Sequence, residues 1–179
     1  MSITVGIFVG STYGNTEAAA ENIAGLLNAR TGVGIELANV KDNGCGAMTA
    51  YEYLILGCST WHDGKLQDDW EDCIPELQKL DLSGKVIALF GAGDQEGYAN
   101  SFQDALGILG ADLRAAGAKL VGFTATDGYS FNESRGVENG KFMGLALDFD
   151  HQEELNASRI GAWVDQLIGE MNLRELVEA

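Results

Sequence analysis

The segment from Gly10 to Thr16 combines small side chains, hydroxyl groups and the start of a predicted helix. It reads Gly-Ser-Thr-Tyr-Gly-Asn-Thr and follows an apolar run. Backbone N–H groups and the helix dipole can bind an anion at such a place without a lysine or arginine. The competing interpretation is a plain helix N-cap, which also favours serine and threonine. We therefore treat this segment as a candidate phosphate site.

Two common phosphate-binding patterns do not match this segment. A P-loop has one more residue between its glycines and a lysine before its Ser/Thr, and Asn15 stands at that position here. The GxGxxG spacing of dinucleotide-binding folds is also missing. A site without a cation best suits a monophosphate that the protein does not cleave.

Two further turn-like segments carry an aromatic residue. Trp61 lies within Cys58–Gly64, and Tyr98 follows the glycine-rich segment 91–97. A tryptophan in a loop is costly to expose unless another ring stacks on it, and glycines let a ligand approach the backbone closely. A tryptophan folded onto the core and an ordinary turn with a surface tyrosine are the alternatives.

Five apolar, largely β-branched runs alternate with segments of helical periodicity. The run 34–40 contains Glu36 and Asn39, which predicts an edge strand, whereas the other four are nearly unbroken hydrophobics, as strands buried on both faces should be. This alternation predicts an α/β fold with a doubly wound, five-stranded parallel sheet and helices on both faces. The predicted strands are Ile3–Val9, Gly34–Val40, Tyr53–Gly57, Val86–Gly91 and Leu120–Thr124.

Four helices are predicted between and after these strands. The first carries the stripe Ala19, Ile23, Leu26 and Leu27 and stops at Thr31-Gly32; the second covers Gln67–Leu77 and ends near Pro75; the third covers Ser101–Ala116 with Gly117 as its cap; the last carries Ile160, Trp163, Val164, Leu167, Ile168 and Met171. The segment from Ala125 to Lys141 is rich in turn residues, so we expect a loop of about 20 residues that interrupts the fifth strand.

In an open α/β sheet, ligands bind at the carboxyl ends of the strands. The three segments described above follow the first, third and fourth strands, so they are expected at one edge of the sheet. A phosphate site, a tryptophan and a tyrosine at that edge are what a planar ring on a phosphorylated tail requires.

Composition narrows the possible functions. The 179 residues fit one domain, 1–179, and carry a net charge of −16 with 27 acidic and 11 basic residues. Such a surface repels nucleic acid and anionic membranes and attracts proteins with basic faces, although acidity for solubility alone is an equal alternative. No apolar stretch is long enough to span a membrane, and the N-terminus lacks a basic signal-peptide region, so we expect a cytoplasmic protein.

The cysteines and histidines indicate neither a disulfide framework nor a metal site. Cys45, Cys58 and Cys73 are odd in number and contain no CxxC pair, and we expect Cys45 to be a loop residue. The two histidines, His62 and His151, are too few for a metal constellation. Any redox chemistry would therefore require an organic cofactor.

At these segments the sequence resembles the flavodoxin family, long-chain type, over nearly its whole length. The phosphate loop is similar to the family pattern GSxTGxT, with Tyr13 in place of the second threonine. Residues 54–61 resemble the third strand and inner aromatic loop, residues 93–105 resemble the outer loop, and residues 126–129 and 139–148 resemble the long-chain insert. The resemblance implies a flavodoxin-like fold, bound FMN, and a low-potential electron carrier that cycles between semiquinone and hydroquinone rather than an enzyme.

The resemblance also implies residue roles. The phosphate would bind Ser11–Thr16, Trp61 and Tyr98 would cover the two ring faces, Asp94 with its neighbours would meet the pyrimidine edge, and the His62–Asp63 peptide would lie near the flavin N5. The implied cofactor-binding residues are Ser11, Thr12, Tyr13, Gly14, Asn15, Thr16, Thr60, Trp61, His62, Asp63, Gly64, Ala92, Gly93, Asp94 and Tyr98.

Partners implied by the resemblance are larger redox proteins: a flavodoxin or ferredoxin reductase on one side, and nitrogenase or a photosynthetic chain on the other. The complexes would be transient and the carrier a monomer. Three rivals remain at this point. An FMN-dependent quinone reductase would need an open nicotinamide pocket, a receiver domain would need an aspartate where the third strand ends in Gly57-Cys58, and a flavin-free interaction module would bind no FMN.

Overall fold

The structure is a computed structural model that describes residues 3–174, and its central feature is a parallel β-sheet. In chain order the elements are β1 (Thr4–Gly10), α1 (Asn15–Thr31), β2 (Gly34–Asn39), α2 (Val40–Asn43), a 3₁₀ helix (Cys45–Ala50), β3 (Tyr53–Cys58), β4 (Thr60–Trp61), β5 (Lys65–Leu66), α3 (Asp68–Leu77), β6 (Val86–Ala92), α4 (Asp104–Ala115), β7 (Lys119–Val121), β8 (Thr124–Ala125), β9 (Val137–Glu138), β10 (Lys141–Phe142), β11 (Leu145–Leu147) and α5 (Glu153–Glu170).

The strand order of the main sheet is β11-β6-β3-β1-β2, with β7 also paired to β6. All of these pairs are parallel, and β2 lies at the edge, as its polar residues predicted. Gly10 is in register with Cys58, Gly57 with Phe90, and Leu147 with Ala92. The carboxyl ends of β1, β3, β6 and β11 therefore meet at the same edge.

The fifth strand of the sheet consists of two short pieces, β7 and β11, and the first is shorter than the predicted Leu120–Thr124. β7 pairs with Val86–Ala88 and β11 continues along Phe90–Ala92 of the same neighbour. Gly122, at φ +81°, turns the chain away after Val121, so Thr124 belongs to a different sheet. The segment between the two halves is not a plain loop, because β8, β10 and β9 form a small antiparallel sheet within it.

Helices cover both faces of the main sheet. Buried side chains of α1 and α5 pack on one face, and those of α3 and α4 pack on the other. Every apolar residue predicted for the stripe of the last helix is buried, and the indole Nε1 of Trp163 donates a hydrogen bond of 2.8 Å to the Gly122 carbonyl. The period-3.6 pattern therefore located this interface correctly.

One helix boundary differs from the prediction by more than a residue. α3 covers Asp68–Leu77 and contains Pro75, close to the predicted Gln67–Leu77. Pro75 has no N–H to donate to the Glu71 carbonyl, so α3 lacks one intrahelical hydrogen bond in its last turn. α4 begins at Asp104 rather than Ser101, because Gln103 has φ +60° and interrupts helical geometry. Phe102 consequently packs outside the helix, against aromatic rings of the insert.

The expectation of no disulfide and of Cys45 as a loop residue was wrong. Cys45 begins the 3₁₀ helix, is fully buried and forms a disulfide with Cys73 of α3, with their Cα atoms 5.8 Å apart. The pair is separated by 28 residues and becomes adjacent only because the 3₁₀ helix packs on α3, so spacing alone did not reveal it. Cys58 is free and buried, and burial raises the pKa of its thiol to about 12.

Candidate functional site

A cleft of about 320 Å³ opens where the carboxyl ends of β1, β3, β6 and β11 meet. Of the fifteen site residues predicted from sequence, all except Gly14 line it. The additional lining residues are Ser59, Ser101, Phe102, Gln103, Phe149 and Asp150. No lysine or arginine is found among the described residues that line the cleft. An anion bound there would therefore rely on backbone N–H groups and side-chain hydroxyls.

The first wall is the loop between β1 and α1. Gly14 is the N-cap of α1 at φ +87°, and it contributes no side-chain capping bond. The first N–H groups of a helix have no acceptor within the helix, so those of α1 remain available for an anion. Ser11 Oγ accepts from the Gly14 N–H at 3.0 Å, and the hydroxyls of Thr16 and Ser59 lie 2.7 Å apart. This geometry favours the anion site over an N-cap made by a Ser or Thr side chain.

The second wall, here called the inner wall, is the hairpin of β4 and β5. Thr60 pairs with Leu66 and Trp61 with Lys65, so His62, Asp63 and Gly64 form the turn. All three have positive φ, at 45°, 56° and 99°. Left-handed geometry costs a non-glycine residue about 1–2 kcal/mol, so the turn stores backbone strain at His62 and Asp63.

Neighbouring side chains fix this strained turn. Ser101 Oγ donates to Asp63 Oδ1 at 3.0 Å, and the Ala105 N–H donates to Thr60 Oγ1 at 3.1 Å. A Cβ at position 64 would lie 2.8 Å from Asp104 Oδ2, so a glycine is required there. Burial raises the pKa of Asp104, although a hydrogen bond from the Arg135 N–H and the Arg135 charge oppose that rise.

Three aromatic side chains of the cleft, those of Tyr13, Trp61 and Tyr98, differ in their surroundings. Tyr13 stacks against Trp61 with ring centroids 5.3 Å apart and an angle of 29° between their planes, so one face of Trp61 is covered. Tyr98 is 53% exposed, and Tyr13 is 81% exposed. Large aromatic rings left accessible at the rim of a cleft provide stacking surfaces for a planar ligand.

The third wall, here called the outer wall, is the segment 92–98 after β6. Asp94 Oδ1 accepts from the N–H groups of Glu96 and Gly97 at 3.0 and 2.6 Å, which closes the turn. A Cβ at Gly97 would lie 2.2 Å from Asp94 Oδ2, so any other residue there would displace the Asp94 side chain that closes the turn. One oxygen of Asp94 is thus committed to shaping the wall, and the neighbouring backbone remains to face a ligand.

Buried polar side chains hold the outer wall against the fifth strand. The carboxylate of Asp148, fully buried, accepts from the Gln95 backbone and side chain at 3.2 and 2.8 Å. Gln95 Oε1 in turn accepts from the Ser130 N–H of the insert at 2.7 Å. The side chain of Gln103 donates to the carbonyls of Gly91 and Leu147 at 3.1 and 3.2 Å.

Sequence reasoning missed Phe149 and Asp150 in the cleft. They directly follow β11, whose carboxyl end lies at the same edge as those of the other strands. The sequence prediction covers only the segments after the first, third and fourth strands, and the same carboxyl-end rule applied to the fifth strand identifies this fourth segment.

Comparisons with known proteins agree with one family throughout. The sequence model of the Flavodoxin family matches residues 7–163. A flavodoxin of a Nostoc species is 46% identical, with 97% of this chain and all of that protein covered, and flavodoxin 1 of Escherichia coli K12 is 43% identical over the full length of both. The chain belongs to the flavodoxin family.

A solved structure provides a comparison of the fold. The crystal structure of a Fusobacterium nucleatum flavodoxin bound to flavin mononucleotide matches with a TM-score of 0.88 at 35% identity, covering 93% of this chain and 98% of that one. Within residues 3–174, no helix is long and apolar enough to cross a membrane.

Proposed function

We propose that this flavodoxin-family chain binds one FMN in the cleft and acts, as a single domain, as a low-potential one-electron carrier rather than as an enzyme. The observation that carries the proposal is one cleft that combines a helix N-terminus free of basic side chains with aromatic rings on two walls. An anionic tail with a planar head fits that combination, and FMN is such a molecule. FMN in the Fusobacterium relative supports the choice.

The walls suggest a division of roles. Ser11–Thr16 would hold the phosphate through backbone N–H groups and hydroxyls. Trp61 and Tyr98 would lie on opposite faces of the ring, and the backbone at Gly93 and Asp94 would meet its pyrimidine edge. The strained His62–Asp63 peptide would lie near N5. The insert between β7 and β11 supports the assignment to the long-chain type.

The charge of the cleft supports a low potential. Asp63, Asp94 and Asp150 line it, and the whole chain has a net charge of −16. Adding negative charge beside carboxylates is unfavourable, and each 1.4 kcal/mol of that cost changes an equilibrium about tenfold. FMN held by these walls would supply one-electron chemistry between its semiquinone and hydroquinone states, and the protein would supply binding, charge and docking.

The partners we propose are larger redox proteins with basic faces, such as a flavodoxin or ferredoxin reductase and, as acceptor, nitrogenase or a photosynthetic chain. A strongly acidic surface accelerates encounters with such faces at low salt. We also propose a monomer in the cytoplasm that binds neither nucleic acid nor membrane. The Cys45–Cys73 disulfide counts against a cytoplasmic location, because disulfides are rare in reducing compartments.

Stepwise reduction of the FMN-loaded protein, followed by visible absorption, tests the carrier function. We expect a yellow protein that first becomes blue and then bleaches, because separated one-electron steps let the neutral radical accumulate. Bleaching in one two-electron step, without the blue species, would contradict the carrier function. Steady NADH–quinone turnover by the pure protein would favour a quinone reductase instead.

A further inference from the structure

His151 lies between two carboxylates of the outer wall. Its Nε2 is 3.0 Å from Asp94 Oδ1, and its Nδ1 is 3.6 Å from Glu96 Oε2. The side chain is 35% exposed, and its backbone N–H donates to the buried Asp148 carboxylate at 2.9 Å. The backbone of His151 is therefore held by Asp148, while its ring lies between two carboxylates of the outer wall, of which Asp94 lines the cleft.

The two contacts suit the doubly protonated ring. At 3.6 Å the Nδ1 contact is longer than a hydrogen bond and depends on charge; only the imidazolium carries the charge that attracts both carboxylates and has an N–H at each nitrogen. When the ring loses a proton, one ring nitrogen has only a lone pair facing a carboxylate oxygen, and the charge attraction to both carboxylates is lost. Imidazole is the side chain whose charge ordinarily changes between about pH 5 and 8.

The other charged groups near His151 are mostly acidic. Arg159 of α5 donates from Nη2 to Gln152 Oε1 and stacks on the Tyr129 ring, while its buried Nη1 has no hydrogen-bond partner among the described residues. The carboxylates on the elements around the ring are Asp94 and Glu96 of the outer wall, Asp148 and Asp150 of the turn after β11, and Glu153 and Glu154 of the first turn of α5.

Asp94 connects this bridge to the cleft. The same Oδ1 that faces His151 accepts from the N–H groups of Glu96 and Gly97, so a charge on His151 acts directly on the group that shapes the outer wall. We propose that His151 is a proton-dependent positioning residue: its imidazolium ties Asp94 to Glu96, holds the outer wall in place and offsets negative charge beside the cleft. The consequence for FMN rests on the proposed function, and it is tighter FMN binding at acidic than at alkaline pH.

Fluorescence titration of the FMN-free protein with FMN, from about pH 5.5 to about pH 8.5, tests the proposal. We expect the Kd of the natural protein to rise about threefold across this range, the scale of a partly exposed ion pair. H151N should behave at all pH values like the natural protein at high pH, and H151K like the natural protein at low pH. Titration of the FMN phosphate affects every variant equally and cancels in the ratio to H151N.

His62 provides a matched control. It is the only other histidine of the chain, and it faces a single carboxylate, Asp68, at 3.4 Å with a side chain 56% exposed. His62 also lines the cleft, so the H62N control is judged by the pH step in Kd rather than by its absolute value. That step should persist in H62N and disappear in H151N; its disappearance in H62N alone would overturn the assignment to His151.

A second measurement needs no FMN. In the FMN-free protein, the NMR shifts of the Glu96 and Gly97 amides should follow the same pH midpoint as the His151 ring, and this response should vanish in H151N. Identical pH profiles of the natural protein and H151N in both measurements would overturn the proposal. If no variant binds FMN, the proposed function fails, and the amide shifts alone decide whether the bridge exists.

Discussion

The inner and outer walls of the cleft are built in different ways. The inner wall bends through three consecutive residues of positive φ, two of them not glycine, and is fixed by hydrogen bonds from Ser101 and Ala105. Within the described segment 92–98, the outer wall has no residue of positive φ, and its turn is closed by its own Asp94. The inner wall thus stores strain, whereas the outer wall is held without it.

This difference suggests a division of labour. Backbone strain of this kind clusters at ligand sites and switch regions, which suits a peptide whose hydrogen bonding changes with the state of a ligand. The turn of the outer wall has its hydrogen bonds made and is anchored on the buried Asp148, which suits a wall that keeps one edge of the ligand in a fixed position. The four changes below test the division, beginning with the largest expected effect.

The helix that leaves the inner wall, α3, is tied by the Cys45–Cys73 disulfide, and C73S should cost the most stability. Closing a 28-residue separation stabilises a fold by about 3–4 kcal/mol in the chain-entropy description. Urea unfolding of the natural protein with and without reductant, beside C73S, measures this effect. C58S provides the control, because Cys58 is free. Reductant should shift the urea midpoint of C58S by the same amount as it shifts the midpoint of the natural protein. No change on reduction would contradict the disulfide.

Replacing Asp148 should weaken the outer wall from beneath. D148A removes the acceptor of the buried Gln95 backbone and side-chain N–H groups and of the part-buried N–H groups of Asp150 and His151, which should cost about 3 kcal/mol of unfolding free energy. D148N keeps the shape and should cost less. If D148A unfolds at the same urea concentration as the natural protein, the outer wall is not anchored as described.

The two aromatic rings should contribute unequally to FMN affinity. Trp61 is backed by Tyr13, so W61A removes a supported stacking surface and should raise the Kd for FMN about 30-fold and shift both potentials. Y98A should have a smaller effect, because Tyr98 is more than half exposed. Fluorescence titration of both variants provides the comparison. Unchanged affinity and potentials in W61A would remove that residue from the site.

Relieving the strain should have the smallest effect, and it should be stabilising. H62G removes the left-handed penalty at φ +45° and should raise the unfolding free energy by about 1 kcal/mol. N139G makes the same change at φ +51° in the insert, away from the cleft lining. Both variants should gain stability, but only H62G should shift the redox potentials. Equal potentials in the two variants would argue against a role for strain in the inner wall.

The sequence predicted the sheet, the edge position of β2 and the helices well, because each depends on a periodic pattern within a single segment. It failed at Cys45, whose partner lies on another element, and at the start of α4, where Gln103 adopts a left-handed backbone that few non-glycine residues accept. Both failures concern tertiary contacts, which override local propensity.

The candidate site was also predictable where it depends on single segments of the chain, and not where it depends on contacts between distant residues. The rule that strands of an α/β sheet present ligands at their carboxyl ends located Trp61 and Tyr98. The bridge from His151 to Asp94 and Glu96 could not be predicted, because a single histidine after the fifth strand carries no pattern that reveals its two acidic neighbours.

The binding of FMN and of riboflavin to the flavin-free protein, compared by fluorescence quenching, tests the central claim directly. A cradle made of amides and hydroxyls at the start of α1 should hold FMN in a one-to-one complex and riboflavin, which lacks the phosphate, far more weakly. Equal affinity for the two flavins, or no quenching by excess FMN, would contradict the account.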